Sequence, residues 1–458
     1  MFRKTKIICT IGPASSSKKI IRKMYEAGMN GARINTAYGS PDYHELIMNK
    51  VRETANIPII VDIKGPEIRL QVAEKQKVKK GDILKVGFIH SKLSFNHDFY
   101  DNIRVNDMIY IDNGRLRTVV VKKANREVHL SAMNHGEIEN GKGVNIPSRQ
   151  LSVPTLSKRD LEIIKFAEKI DAEYIALSFT RNAEDVTNLR ASAHGYKGAV
   201  IAKIENTEGV NNFDAIMDAA EYIMIARGDL GVEIEPAKVP LVQKSLTKKC
   251  NQKGLPVAIA TEMLESMIQQ PSPTRAEVSD VANAILDGAD AIMLSGETSI
   301  GKHPVRSVSM IAQIAEETEP ATKSHIEDST FVNISDAISK SIQRLCQTMP
   351  IDKVVTLTRS GYTAKMISRF KIAPLIIAVT PNEMVKSQLE LVFGVCPTQM
   401  NYLIEDDRIL SVAKKLSSDK LISSKDTILF TAAFRTSRRH SSNLIEIHDI
   451  AELLHLAS

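Results

Sequence analysis

The chain has 458 residues, 43% of them hydrophobic and 25% charged, with few aromatics and no Trp. That is the composition of a globular protein with more chain than one hydrophobic core usually supports, so two to four domains are expected. The formal charge of +6, from 60 basic and 54 acidic residues, is too mild to argue for a nucleic-acid or membrane-surface partner.

Four cysteines, Cys9, Cys250, Cys346 and Cys396, lie far apart and without metal-ligand spacing, which suits reduced thiols in a cytoplasmic protein. The apolar start Ile7–Ile11 is too short for a signal peptide. No stretch approaches the ~20 apolar residues that a membrane helix needs.

In chain order, short apolar runs alternate with amphipathic stretches through residues 1–320. The runs are Lys6–Thr10, Gly31–Asn35, Ile57–Asp62, Ala172–Phe179, Gly198–Glu205, Ala220–Asp229, Leu255–Thr261 and Ala289–Leu294. Stretches such as Lys18–Glu26, Leu161–Glu168 and Val278–Leu286 read as helices between them. Ser157…Asp160 and Thr274…Glu277 carry capping-box spacing. Eight β-then-α units predict a closed (β/α)8 TIM barrel, with an open doubly wound sheet as the alternative.

One interval breaks the rhythm. From Arg69 to about Val144 the segments Asp82–Phe88, Met108–Ile111, Leu116–Lys122 and Val128–Ser131 read as strands separated by turns. This predicts a small β-barrel-like lid domain, residues 70–144, inserted after the third strand and lying over the barrel mouth. The barrel then comprises residues 1–69 and 145–325. After Glu319-Pro320, residues 326–458 read as a third, doubly wound α/β domain. It holds a helix Ile334–Gln347 and strands Lys353–Leu357, Leu375–Thr380, Thr427–Thr431 and Leu444–His448.

Catalytic groups of such a barrel belong at the C-terminal ends of its strands. Those ends read Arg33-Ile-Asn35, Asp62-Ile-Lys64, Ser178-Phe-Thr-Arg181, Lys203-Ile-Glu205, Ala226-Arg-Gly-Asp229, Thr261-Glu262 and Ser295-Gly-Glu297. Residues two apart on a strand share a face, so Lys203 with Glu205, Arg33 with Asn35 and Asp62 with Lys64 point together into the mouth. Glu205 and Asp229 end adjacent strands, and their hard oxygens, with no His or Cys nearby, suit Mg²⁺ or Mn²⁺. A structural ion pair would explain Lys203–Glu205 alone. Beside Asp229, Arg33, Lys64 and Arg69 the metal-and-anion reading outweighs it. Gly228 allows backbone N–H groups to approach a carboxylate, while Thr261 reads either as a helix cap or as a substrate contact.

At these residues the chain resembles the pyruvate kinase family. Lys6–Ser15, Lys64-Gly-Pro-Glu-Ile-Arg69, Ala202-Lys-Ile-Glu-Asn206, Ala226–Glu233 and the long run Pro271–Thr298 carry the resemblance. It implies phosphoryl transfer from phosphoenolpyruvate to ADP, giving pyruvate and ATP, by a cytoplasmic homotetramer. It further implies that Lys203, Arg33 and Thr261 are catalytic, and that Arg33, Lys203, Gly228, Asp229 and Thr261 bind substrate. Asn35, Arg69 and Lys142 would meet the nucleotide, and Glu205 and Asp229 would hold Mg²⁺. Asn35, Asp62 and the carbonyl of Ile63 would hold K⁺.

Two departures bear on the expectation. The family's Arg-x-Asn-x-Ser-His-Gly reads here Arg33-Ile-Asn-Thr-Ala37-Tyr38-Gly39, so Ala37 removes one K⁺ oxygen and Tyr38 replaces a His near the nucleotide. Glu67 accompanies K⁺ dependence in the family, so K⁺ is expected to activate with weakened affinity. In the last domain Thr358–Thr363 resembles a phosphate-binding turn, but Ala433–His440 replaces the glycine-rich effector loop. Its Arg435, Arg438 and Arg439 read as an anion site or as a solvated surface. The rival enzyme reading is a pyruvate/phosphoenolpyruvate-type barrel lyase or aldolase with Lys203 as a Schiff base. A non-catalytic metabolite-binding relative is the rival of another class.

Overall fold

The structure is a computed structural model that describes all residues except 1, 89–90, 148, 150, 325, 327–332, 402–407, 434–441 and 456–458. Its first strands, β1 (Lys6–Thr10), β2 (Gly31–Asn35) and β3 (Ile59–Ile63), are the first three apolar runs, with β3 starting two residues later and ending one later than expected. After β3 the chain leaves for the insertion. This contains β4 (Leu70–Val72), β5 (Gln76–Val78), β6 (Ile83–Phe88), β7 (Leu93–Phe95) and β8 (Met108–Ile111). It continues with β9 (Leu116–Ala124), β10 (Glu127–Ala132), β11 (Gly136–Ile138) and β12 (Val144–Asn145).

The insertion forms a seven-stranded sheet in the order β12-β8-β9-β10-β6-β7-β4, with β5 and β11 paired separately. Its two edge strands meet through an Arg69–Gly143 bridge and the hydrogen bonds Leu70 N to Lys142 O (2.8 Å) and Val144 N to Ile68 O (2.8 Å). The sheet therefore curls back on itself around Phe88, Phe95 and Phe99. The short strands β4, β5, β7, β11 and β12 were not among the four expected. With two or three residues each they show no alternation to read.

The barrel resumes with β13 (Tyr174–Leu177), β14 (Ala199–Ile204), β15 (Tyr222–Ala226), β16 (Val257–Ala260) and β17 (Ala291–Leu294). All eight strands are parallel, and β1 pairs both β2 and β17, with Lys6 opposite Ala291, so the sheet closes. Closure decides against the open-sheet alternative. Both capping boxes form, at Ser157–Asp160 and Thr274–Glu277, and start helices Lys158–Lys169 and Arg275–Leu286.

Strand alternation splits the barrel's apolar residues into two layers. Ile7, Cys9, Val61 and Ile175 face the surrounding helices, while Ile8, Ile60, Tyr174, Ala176, Met224 and Met293 fill the interior. The interior column has one member from outside the barrel: Leu391, fully buried at its floor. The segment around it is tied down by Tyr174 Oη to Gln388 O (2.8 Å) and Tyr222 Oη to Leu391 O (3.1 Å). Asp290 accepts from Lys371 Nζ (3.1 Å) and Phe393 N (3.1 Å) across the same junction.

The last domain is a sheet of β18 (Lys353–Leu357), β19 (Leu375–Thr380), β20 (Val395–Gln399), β21 (Thr427–Ala432) and β22 (Leu444–Asp449) in the order β20-β19-β18-β21-β22. Four strands are parallel and β22 runs antiparallel at one edge. Strand β20 escaped the sequence reading because Pro397 interrupts its pattern. It survives as the opposite edge strand, where a missing N–H is tolerated. Arg435, Arg438 and Arg439 lie outside the described residues. Among the described residues no helix is long and apolar enough to cross a membrane.

Candidate active site at the barrel mouth

The period-two alternation that fills the barrel also aims its polar strand ends inward. Lys203 on β14 and Glu205 just past it do share a face: Nζ lies 3.1 Å from Glu205 Oε1. The same ammonium is 3.1 Å from Asp62 Oδ2 at the end of β3 and donates to Ser178 Oγ at 2.6 Å. Ser178 donates in turn to Asp62 Oδ1 (3.0 Å). From β2, Arg33 gives Nε to Asp62 Oδ2 (2.7 Å) and Nη1 to Thr10 Oγ1 (2.9 Å). Arg33, Asp62, Ser178, Lys203 and Glu205 are each no more than 8% exposed. This is one buried network of alternating charge, which is the condition under which buried ions persist.

Its members are not equally compensated. Burial pushes Asp62 up, but Arg33 and Lys203 outweigh it and hold this carboxyl below the usual range. Burial alone would lower Lys203, yet Asp62 and Glu205 keep it above the ordinary lysine value. A lysine held charged is a poor Schiff-base nucleophile, which counts against the aldolase reading. Glu205 is raised by burial and by Asp229 and Asp62, against the pull of Lys203, although Phe179 N donates to it at 2.7 Å. Asp229, in the first turn of helix Arg227–Glu233, is raised by burial, despite Lys203, and by Glu67.

Two neighbouring carboxyls that burial and nearby negative charge push toward protonation fit a divalent cation, which would favour their charged forms. Their oxygen donors suit Mg²⁺ or Mn²⁺. Among the described residues no group of three or more His, Cys, Asp or Glu is arranged to hold a metal, so these two would be completed by other oxygens.

Thr261 follows β16 in a strained turn. It has φ 68° and Glu262 φ 55°, both left-handed, at a cost of about 1–2 kcal/mol per residue. Its hydroxyl donates to Ala260 O (2.6 Å) and accepts from Gly228 N (2.7 Å). Glycine eases the approach, since a Cβ on residue 228 would lie 3.3 Å from Thr261 Oγ1, a tight contact. Thus the Gly228 N–H expected to meet a substrate carboxylate is engaged by Thr261 here.

The accessory-cation residues are adjacent but have other partners. Asn35 Oδ1 accepts from Ala37 N (3.1 Å), Ile63 O accepts from Ser178 N (3.2 Å), and Asp62 serves Arg33, Lys203 and Ser178. The nucleotide candidates Arg69 and Lys142 both stand at the insertion. Arg69 pairs with Glu67 (2.7 Å) and reaches Gly141 O, and Lys142 lies 3.2 Å from Asp112. The insertion also touches the barrel directly, through Asn145 Nδ2 to Glu233 Oε1 (3.0 Å). A cavity of about 90 Å³ between them is lined by Glu67, Arg149, Arg181, Asp229 and Glu233.

Sequence reasoning gave no role to Thr10, Ser178 or Arg227. Thr10 and Ser178 follow the inward period of Ile8 and Ala176, so alternation could have found both. Arg227 gave no such signal, because its partners, the side chain of Asp280 and the carbonyls of Thr261 and Glu262, are distant in sequence.

The family model for the pyruvate kinase barrel domain matches residues 2–308, and that for the pyruvate kinase alpha/beta domain matches residues 336–448. A pyruvate kinase of Sporosarcina psychrophila is 39% identical over 476 residues, covering 99% of this chain and 81% of the relative. That of Geobacillus stearothermophilus is 39% identical over 478 residues with the same coverage. A crystal structure of a pyruvate kinase from Cryptosporidium parvum superposes with a TM-score of 0.89 at 32% identity, covering 97% of this chain and 96% of that one.

Proposed function

The chain belongs to the pyruvate kinase family and transfers a phosphoryl group from phosphoenolpyruvate to ADP, and from that premise we propose that Lys203, Arg33 and Thr261 are its catalytic groups. The observation that carries this is the buried charge network: Lys203 Nζ stands 3.1 Å from both Asp62 and Glu205.

Arg33, fixed by Asp62 and Thr10, binds the phosphoryl group. Lys203, kept charged by its carboxylates, stabilises negative charge on that group as it moves. Members of the family need a divalent metal. Here Glu205 and Asp229 would hold Mg²⁺ or Mn²⁺, which when bound would offset the negative charge of the reacting substrate. The Asp229 backbone, with Thr261 held by the Gly228 N–H, orients the carboxylate end of the substrate. Thr261 also positions the water that delivers a proton to the enolate carbon.

Asn35, Arg69 and Lys142 bind the nucleotide, the last two from the insertion, which acts as a lid and excludes water when ADP is held. Asn35, Asp62 and the Ile63 carbonyl would hold K⁺, with affinity reduced by Ala37. The active assembly is a cytoplasmic homotetramer.

The test is pyruvate formation from phosphoenolpyruvate and ADP with Mg²⁺, with and without K⁺. Strict dependence on both substrates and on the metal is expected. Inactivity across a broad pH range under both salt conditions would overturn the assignment.

A further inference from the structure

The turn that carries Thr261 has two successive non-glycine residues in the left-handed region. Such a conformation persists only where surrounding groups impose it. The imposing group is identifiable. Arg227 Nη2 donates to the carbonyls of both strained residues, Thr261 O at 3.2 Å and Glu262 O at 3.1 Å. The guanidinium is itself anchored on helix Arg275–Leu286, where Asp280 takes Nη1 and Nη2 at 2.7 Å each. Gln243 Oε1 lies 3.4 Å from Nη1.

We infer that Arg227 is a positioning residue that sets the Thr261 hydroxyl by clamping the backbone beneath it. Residues 227 and 228 then grip Thr261 from two sides. The Arg227 side chain holds its carbonyl, while the Gly228 N–H holds its hydroxyl at 2.7 Å. Arginine suits this task better than lysine, because a planar fork can meet a carboxylate and two carbonyls at once. The arrangement leaves Nε buried without a partner. The opening residue of helix Arg227–Glu233 thereby ties the placement of Thr261 to that of Asp229, two residues on.

The inference rests on the proposed role of Thr261, and a double-mutant cycle separates the two. Arg227→Lys is expected to lower kcat by about 10²-fold, the scale on which ~1 Å misplacements act, with KM for phosphoenolpyruvate changed less than about threefold. Thr261→Ala is expected to lower kcat at least as far. Combined, the two should lose no more than Thr261→Ala alone, since Arg227 would have nothing left to position. Losses that multiply in the double variant would show that Arg227 acts elsewhere and would overturn the inference. Full activity of Thr261→Ala would instead remove the role of Thr261, and the inference with it. Should Arg227→Lys give no folded protein by circular dichroism, Asp280→Asn runs through the same cycle, loosening the anchor while leaving the guanidinium.

Discussion

Replacing Lys203 by Met keeps the length of the side chain and deletes its charge. The ammonium lies 3.1 Å from oxygens of Asp62 and Glu205. At an effective dielectric of about 20 each contact corresponds to roughly 5 kcal/mol of gross attraction. Much of that is offset by the desolvation of three buried ions, and removing one partner of such a group typically costs about 3–5 kcal/mol. The catalytic loss is a separate quantity. One electrostatic group aimed at developing charge contributes about 2.7–4 kcal/mol, or 10²–10³ in kcat. Lys203→Met should therefore fall by at least that factor when pyruvate is followed by coupled NADH oxidation at saturating substrates. It should also melt earlier than wild type. Mg²⁺ should raise its midpoint by more than it raises that of the wild type, because no ammonium would compete for Glu205. Turnover within a few-fold of wild type would refute the reasoning, whatever the melting behaviour.

The raised carboxyls predict a pH dependence. Between the ordinary carboxylate value near 4 and their raised folded values, the unfolded chain has released protons that the folded chain still holds. Their contribution to stability thus falls as pH rises through that window and levels off above it. Mg²⁺ affinity should rise across the same window with proton release, read by titration calorimetry in two buffers of different ionisation enthalpy; flat affinity from pH 5 to 8 would show that these carboxyls are not raised. Ala37→Ser restores one oxygen beside Asn35 and should strengthen K⁺ activation about five- to tenfold, on the scale of ~1 kcal/mol for one polar contact. Activation curves in tetramethylammonium buffer measure this, and equal activity of the wild type with and without K⁺ would dispose of the cation site. Leu391→Ala empties the barrel floor and should cost about 2–5 kcal/mol in denaturant unfolding; an unchanged midpoint would mean that the floor collapses to fill the gap.

The parts legible in the sequence share a physical cause. A parallel strand buried on both faces must be a continuous apolar run, so all eight barrel strands stand out. A charge in such a run survives only at its end, so Arg33, Asp62, Lys203 and Glu205 announce themselves. The insertion was harder, since β5 (Gln-Lys-Val) and β12 (Val-Asn) carry no period. The edge strand β20 was hidden by Pro397. The engagement of Gly228 N–H by Thr261, and the Arg227 clamp, depend on backbone groups, which every residue has and no side-chain pattern reveals.

Leu391 gives the order of synthesis a structural meaning. A chain emerging from the ribosome completes its eighth barrel strand at Leu294, yet the residue that stops the barrel's floor is still to be made. At ordinary elongation rates that interval is on the order of ten seconds. During it the interior column around Ile8, Tyr174 and Met224 has an open apolar end, and Asp290 lacks Lys371. The nascent barrel is then exposed to wrong partners, and its final rigidity arrives with the last domain. Early termination within that domain should leave an aggregation-prone barrel rather than a smaller working enzyme.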